Sequence, residues 1–105
     1  MVLKIVITPR ANQDLEEHFE YIADQDMDAA LRFFDAVRET FSQLAKNPNI
    51  GRVYEIQNPR LQGLRKWKVK RFDKYLIFYQ HSESILEVIR LIHGSRDIPL
   101  ILAEE

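Results

Sequence analysis

No cysteine occurs in the 105 residues, which excludes disulfides, thiol catalysis and cysteine-ligated zinc. A chain without thiols fits a reducing compartment, and the expected location is the cytoplasm. Glycine is scarce too, at three residues, and no Gly-rich phosphate loop or Ser/His/Asp arrangement is present. Long apolar runs are missing as well. The N-terminal "MVLKIVITPR" is too short for a signal peptide's apolar region or a membrane span. The protein is therefore expected to stay where it is made, with no membrane partner. The three histidines are scattered and the acids cluster without ligand spacing, so neither a metal site nor a cofactor is expected.

What is present is ordinary for a folded domain: 46% hydrophobic and 30% charged residues. The length fits one domain over residues 1–105, large enough to bury a core unaided. The net charge of −1 conceals a division. Residues 11–40 carry nine acids against two bases, whereas residues 52–74 carry eight bases against Glu55 and Asp73. Such a chain has a dipolar surface, and the local field steers partners more than the total charge does.

Residues 2–7, "VLKIVI", are dense in β-branched types and predict a first strand. Thr8 followed by Pro9 marks a helix start. Ala11, Leu15, Phe19, Ile22 and Ala23 recur at helical spacing over 9–25, with most acids on the wet face. Asp28 is the expected cap of a second helix running to about residue 46, and the short connection predicts an antiparallel hairpin. An irregular stretch with two Asn-Pro pairs follows. Three strands are then expected at 64–72, 75–79 and 84–93, with "FDKY" as a tight turn. The tail holds an apolar knot around Leu100–Leu102. This order gives an α+β fold: an N-terminal strand, a two-helix hairpin, and a three-stranded antiparallel meander with the helices on one sheet face.

The stretch "LRKWKVKRFDKYLIFYQ" carries the functional question. Alternation places Lys66, Lys68 and Lys70 on one face, opposite Trp67 and Val69. Such a row either protects a sheet from edge-to-edge pairing or receives phosphates or carboxylates, in which case binding falls with salt. Trp67, Tyr79 and the phenylalanines of the second helix sit at apolar-face positions and are expected in the core. His18, among acids, is expected to be an ordinary polar residue. Gly94 is expected to allow a positive-φ turn, with Asp97 pairing Arg96 or capping the tail.

The element order, with "GLRKWKVKRFDKYLIFY" followed by "VIRLIHGSRD" and the opening "TPRANQDLEEHFEYIA", resembles the ParE/RelE superfamily of bacterial type II toxins. The ending "IRLIHGSRD" looks like the last strand and turn of ParE-like, plasmid-stabilisation members. The resemblance implies one of two activities. RelE-like members are ribosome-dependent endoribonucleases that cut mRNA with basic residues and often a C-terminal tyrosine; ParE-like members are known for poisoning DNA gyrase. Both are held inactive by an antitoxin.

Carried over residue by residue, Lys68, Lys70 and Arg96 match the RelE-like pattern. Leu76 stands where an arginine is expected, and Leu102 stands near the place of the tyrosine. Cleavage by 2′-hydroxyl attack needs a proton acceptor and a leaving-group donor as well as cations. His81 and His93 are acid–base candidates by residue type but lie outside the family's catalytic positions. The expectation is therefore a ParE-like, non-enzymatic gyrase inhibitor, with Arg65, Lys66, Lys68, Lys70, Arg71 and Arg96 as the target- or antitoxin-binding set. The alternatives are an mRNA interferase using Lys68, Lys70 and Arg96 on the ribosome, and a degenerate antitoxin-binding module. The partner antitoxin should bring an acidic, amphipathic segment to the lysines and to apolar surface near the helix hairpin or "PLIL". Assembly as a homodimer, or as a heterotetramer with the antitoxin, is expected.

Overall fold

The computed structural model describes all 105 residues. Strand β1 (Lys4–Ile7) leads into helix α1 (Pro9–Ala23). Thr8 is the cap, as its hydroxyl and the following proline predict: Oγ1 accepts from the Ala11 N–H at 3.0 Å. The same hydroxyl donates to Ile89 O at 2.9 Å, fixing the helix start to the sheet. Helix α2 (Met27–Lys46) follows after a short turn. Its cap is Asp26 rather than Asp28, because the Asp26 carboxylate accepts from the Ala29 N–H at 3.2 Å. Asp28 falls in the first turn, where a negative charge favours the helix's positive end.

The sheet has five strands in the order β1-β5-β4-β3-β2, with β2 at Arg52–Val53, β3 at Arg65–Val69, β4 at Phe72–His81 and β5 at Ile85–His93. The α+β class holds, and β3, β4 and β5 are antiparallel neighbours. The three-stranded expectation does not hold in full. β1 joins β5 in parallel and the two-residue β2 pairs β3, so the sheet is mixed. The turn also moves: Val69 pairs Phe72, so Lys70–Arg71 make the hairpin and "FDKY" belongs to β4. Arg71 takes φ 68° to close it, a left-handed value that costs a non-glycine residue about 1–2 kcal/mol. Gly94 does not have the expected positive φ; that glycine is Gly63, at φ 74°. Gly94 instead sits close to backbone, where a Cβ would lie 3.3 Å from Lys74 O.

The helix hairpin buries Leu15, Phe33, Val37 and Leu44 against Val69, Ile77, Val88 and Leu91. Helices were expected on this face alone, and here the structure differs. β4 is apolar on both faces, and the second face is covered too. Phe78, Ile89 and Ile92 pack under Leu61 and Leu64 of the 54–64 loop and under Leu102 of a third helix, α3 (Ile98–Ala103). Burying a leucine such as Leu102 contributes about 2 kcal/mol, which explains why the apolar knot folds back. Asp97 caps α3, its carboxylate accepting from the Leu100 N–H at 3.3 Å. No helix is long and apolar enough to cross a membrane.

Candidate functional site

The cationic row divides once folded. Lys66 and Lys68 lie on β3, on the face opposite Trp67 and Val69 and away from the helix hairpin. Lys70 leaves the strand for the turn, where its N–H donates to Thr40 Oγ1 on α2 at 3.0 Å. Its ammonium lies 3.7 Å from Glu39, which also takes Arg71 at 3.3 Å. Lys68 meets Asp73 at 3.7 Å. These side chains are at least half exposed, and each such pair is worth at most about 1 kcal/mol, so an anionic partner can displace them. Lys66 sits over the Tyr54 ring at 5.5 Å. Arg52 stands directly opposite Lys66 across the strands, a like-charged pair that an anion would relieve.

Arg65 is structural: its guanidinium donates to Gly51 O at 2.7 Å and to Asn49 O at 3.4 Å. Arg96 is exposed in the turn after β5 and forms no ion pair within the chain. It lines a polar cleft of about 520 Å³ between α1, the end of β5 and the C-terminal segment, together with Arg10, Glu17, His18 and His93. The fold thus leaves Lys66 and Lys68 on one face, turns Lys70 and Arg71 toward α2, assigns Arg65 to a loop, and puts Arg96 in a separate cleft.

The floor of that cleft is a buried ionic cluster. Arg90, on β5, donates from Nε and Nη2 to the Asp14 carboxylate at 2.7 and 3.0 Å, and from Nη1 to Glu105. Burial alone would lower the Arg90 pKa, but hydrogen bonds and charges from Asp14 and Glu105 outweigh it and hold the guanidinium above its ordinary value. The cluster exists because β1 pairs β5 only as far as Val88. Beyond that point α1 lies along the open edge and supplies side chains in place of a strand: Asp14 accepts the Leu91 N–H at 3.0 Å, and His18 Nε2 donates to Leu91 O at 2.8 Å.

His18 is therefore not a bystander. It also meets the Tyr75 ring edge-on at 4.9 Å, and Tyr75 meets His93 at the same distance. His93 Nδ1 accepts the Ser95 N–H at 3.1 Å, so both imidazoles are occupied with structure. Sequence reasoning missed Asp14, Arg90 and Glu105. The one available signal was a single arginine inside the apolar run "VIRLI". The expectation that the phenylalanines of α2 are core holds for Phe33 and Phe41 but not for Phe34, which is exposed. Tyr79 is fully buried and Trp67 packs against the core.

Burial raises the Tyr75 phenol above its ordinary pKa, with nearby Tyr21 adding to it. Burial raises Tyr79 too, against the opposing effects of the Gly51 N–H and Arg65. Unfolded tyrosines lose their protons near pH 10, while the folded chain keeps them, so the folded state binds more protons above that pH. Stability should be full below about pH 10 and fall as pH rises beyond it. Urea melts from pH 8 to 11 check this. Tyr75→Phe should make the decline shallower, and a flat profile in the unsubstituted chain would refute the assignment.

A family model described as "ParE toxin of type II toxin-antitoxin system, parDE" matches residues 5–98. Among solved structures, one described as "Chromosomal ParDE TA system from P. aeruginosa" superposes with a TM-score of 0.70. It is 16% identical in sequence, over 88% of this chain and 96% of that one. At that identity the likeness shows a shared fold. No curated protein matches in sequence. The family match runs from within β1 through the other four strands, both long helices and the turn bearing Arg96, and the chain belongs to the ParE toxin family of type II toxin–antitoxin systems.

Proposed function

We propose that this chain arrests growth in the cytoplasm by binding DNA gyrase, without cutting a substrate itself, and that a cognate antitoxin neutralises it. The observation that carries the binding role is the separation of Lys68 from Lys70. RNA cleavage on the RelE-like pattern would need both cations at one scissile phosphate, with an acid–base partner beside them. Here one lysine faces away from the hairpin and the other leans on Glu39 of α2. The cleft that holds Arg96 has its buried carboxylate and guanidinium engaged with each other. Cations on a sheet face, with Lys68 exposed and Lys66 half-buried, suit a docking surface.

The solved ParDE system supports an antitoxin as second partner. An acidic segment of that antitoxin would compete with Glu39 and Asp73 for the strand and turn cations. Purified toxin should inhibit gyrase supercoiling at micromolar concentration, and cells expressing it should accumulate double-strand breaks with intact transcripts. Unimpaired gyrase together with cleaved messages would overturn this in favour of an mRNA interferase.

A further inference from the structure

Strand β1 is an edge of the sheet, bonded to β5 on one side only. Lys4 N–H donates to Ser84 O at 2.9 Å and Thr8 N–H to Val88 O at 3.1 Å. In a parallel ladder alternate residues bond to the neighbouring strand, so the N–H and C=O groups of Ile5 and Ile7 point the other way, off the edge. Leu3 N–H, next along that edge, is taken by Ala45 O near the end of α2, at 3.0 Å. Natural edges are usually guarded by charge, proline or a bulge. The opposite edge, β2, is guarded: it has two residues, one of them Arg52. β1 is not. Ile5-Val6-Ile7 contains no charge or proline, its register with β5 is unbroken, and Ile7 is 39% exposed. Beside it a groove of about 560 Å³ runs between β1 and α2, lined by Ile5, Ile7, Phe41, Asp35, Arg38 and Glu39.

The pattern of these groups selects the occupant. Two alternate residues, each offering one donor and one acceptor, are complementary to the same strand run in reverse. With Ile5 opposite Ile7 of a second copy, each such pair exchanges both hydrogen bonds, and every outward backbone group of Ile5 and Ile7 is satisfied. The groove's charges agree with a two-fold axis, which joins a surface to itself. Asp35 and Arg38 have no ion-pair partner within the chain. Their opposite signs let each copy supply what the other needs, whereas a strand with flanks of one sign would be repelled by one of them. We propose that two copies of this chain pair through antiparallel β1 strands, with Val6 facing Val6 on the two-fold axis, giving one continuous ten-stranded sheet from two of five. Because that axis is normal to the sheet, Lys66 and Lys68 of both copies lie on the same side, and the dimer presents its cations twice to one target. Such pairing depends on neither gyrase nor an antitoxin.

Sedimentation equilibrium of the full chain between about 1 and 300 µM checks it, a range that suits a small interface. The mass should rise from 12.5 kDa toward twice that value. Ile7→Lys places a charge on the edge and should weaken association at least about tenfold, with little change in melting temperature because the side chain is already partly in water. Arg38→Glu leaves the groove with one sign and should weaken association about fivefold. Register is read by cross-linking. The chain has no cysteine of its own, and residues facing each other in a non-hydrogen-bonded antiparallel pair have Cα atoms about 4.5 Å apart, within disulfide reach. With diamide as oxidant, Val6→Cys should give a single covalent dimer, whereas Ile85→Cys, one strand further in, should stay uncross-linked. A monomer throughout the range, dimers indifferent to Ile7→Lys, or cross-linking through Ile85→Cys but not Val6→Cys would overturn the assignment. So would pairing of β1 only with a strand of a different protein. Gyrase inhibition is measured separately, so failure of the dimer and failure of the toxin reading give different results.

Discussion

Arg90→Met should destabilise the chain by about 3–5 kcal/mol, the usual result of removing one member of a buried ion pair. Arg90 is only 7% exposed and Asp14 5%. Without the guanidinium, Asp14 keeps one partner, the Leu91 N–H, and a full charge at a largely buried position on the cleft floor. Glu105 also loses its tie, so the segment after α3 would be held mainly by Asn58, whose amide donates to Leu102 O and Glu105 O at 3.0 Å each. The cost is expected as a drop in melting temperature of at least about 12 °C for a domain of this size.

The double variant Arg90→Met with Asp14→Leu separates pairing from packing. Replacing a buried pair by apolar groups is often near neutral, although the Leu91 N–H would then lack its acceptor, at about 1–3 kcal/mol. The double variant should therefore be clearly more stable than the sum of the two single losses. Urea unfolding of the four proteins decides it. Additive losses would mean that the cluster is a crowd of independent contacts rather than one unit.

The second large effect concerns Gly51. A Cβ built there would lie 2.3 Å from Tyr79 Oη and 2.8 Å from its ring. The phenol cannot move aside cheaply, because it is fully buried, donates to Pro48 O at 2.6 Å and accepts from the Gly51 N–H at 3.0 Å. Gly51→Ala should cost about 2–4 kcal/mol, combining overpacking with the loss of one or both hydrogen bonds. Tyr79→Phe alone should cost about 1–3 kcal/mol, because it leaves the buried Gly51 N–H without an acceptor. Gly51→Ala should then cost less in the Tyr79→Phe background than in the parent, because the hydroxyl it struck is gone. Equal cost in both backgrounds would show that the glycine is needed for another reason. This anchor holds down the loop that leads to β2 and to Arg65, so a loosened Gly51 should also disorder that edge of the cationic surface.

The elements that follow from local pattern were legible before folding. Thr8–Pro9 started a helix, helical spacing of apolar residues gave the hairpin, and alternation around Trp67 gave a strand with lysines on its outer face. The ridge itself was only partly legible. Alternation continues through Lys70 on paper, but the chain turns at Lys70–Arg71, and a turn's position depends on which residues the next strand can pair. Gly94 carried a turn signal without its expected φ, because closeness to the Lys74 carbonyl gives the same preference for a missing side chain.

The sequence by itself determined the class of the fold, the division of charge between an acidic hairpin and a basic sheet, and the exclusion of thiol chemistry, because each depends on residue type and on spacing along a few turns or one strand. Tertiary structure alone decided that β1 lies parallel to β5, that α3 covers the second face, and that Asp14, Arg90 and Glu105 meet. Arg90 and Asp14 are 76 positions apart in the chain. No periodicity reports such a contact, since what brings the two together is an open strand edge needing hydrogen-bond partners and a helix that happens to pass beside it.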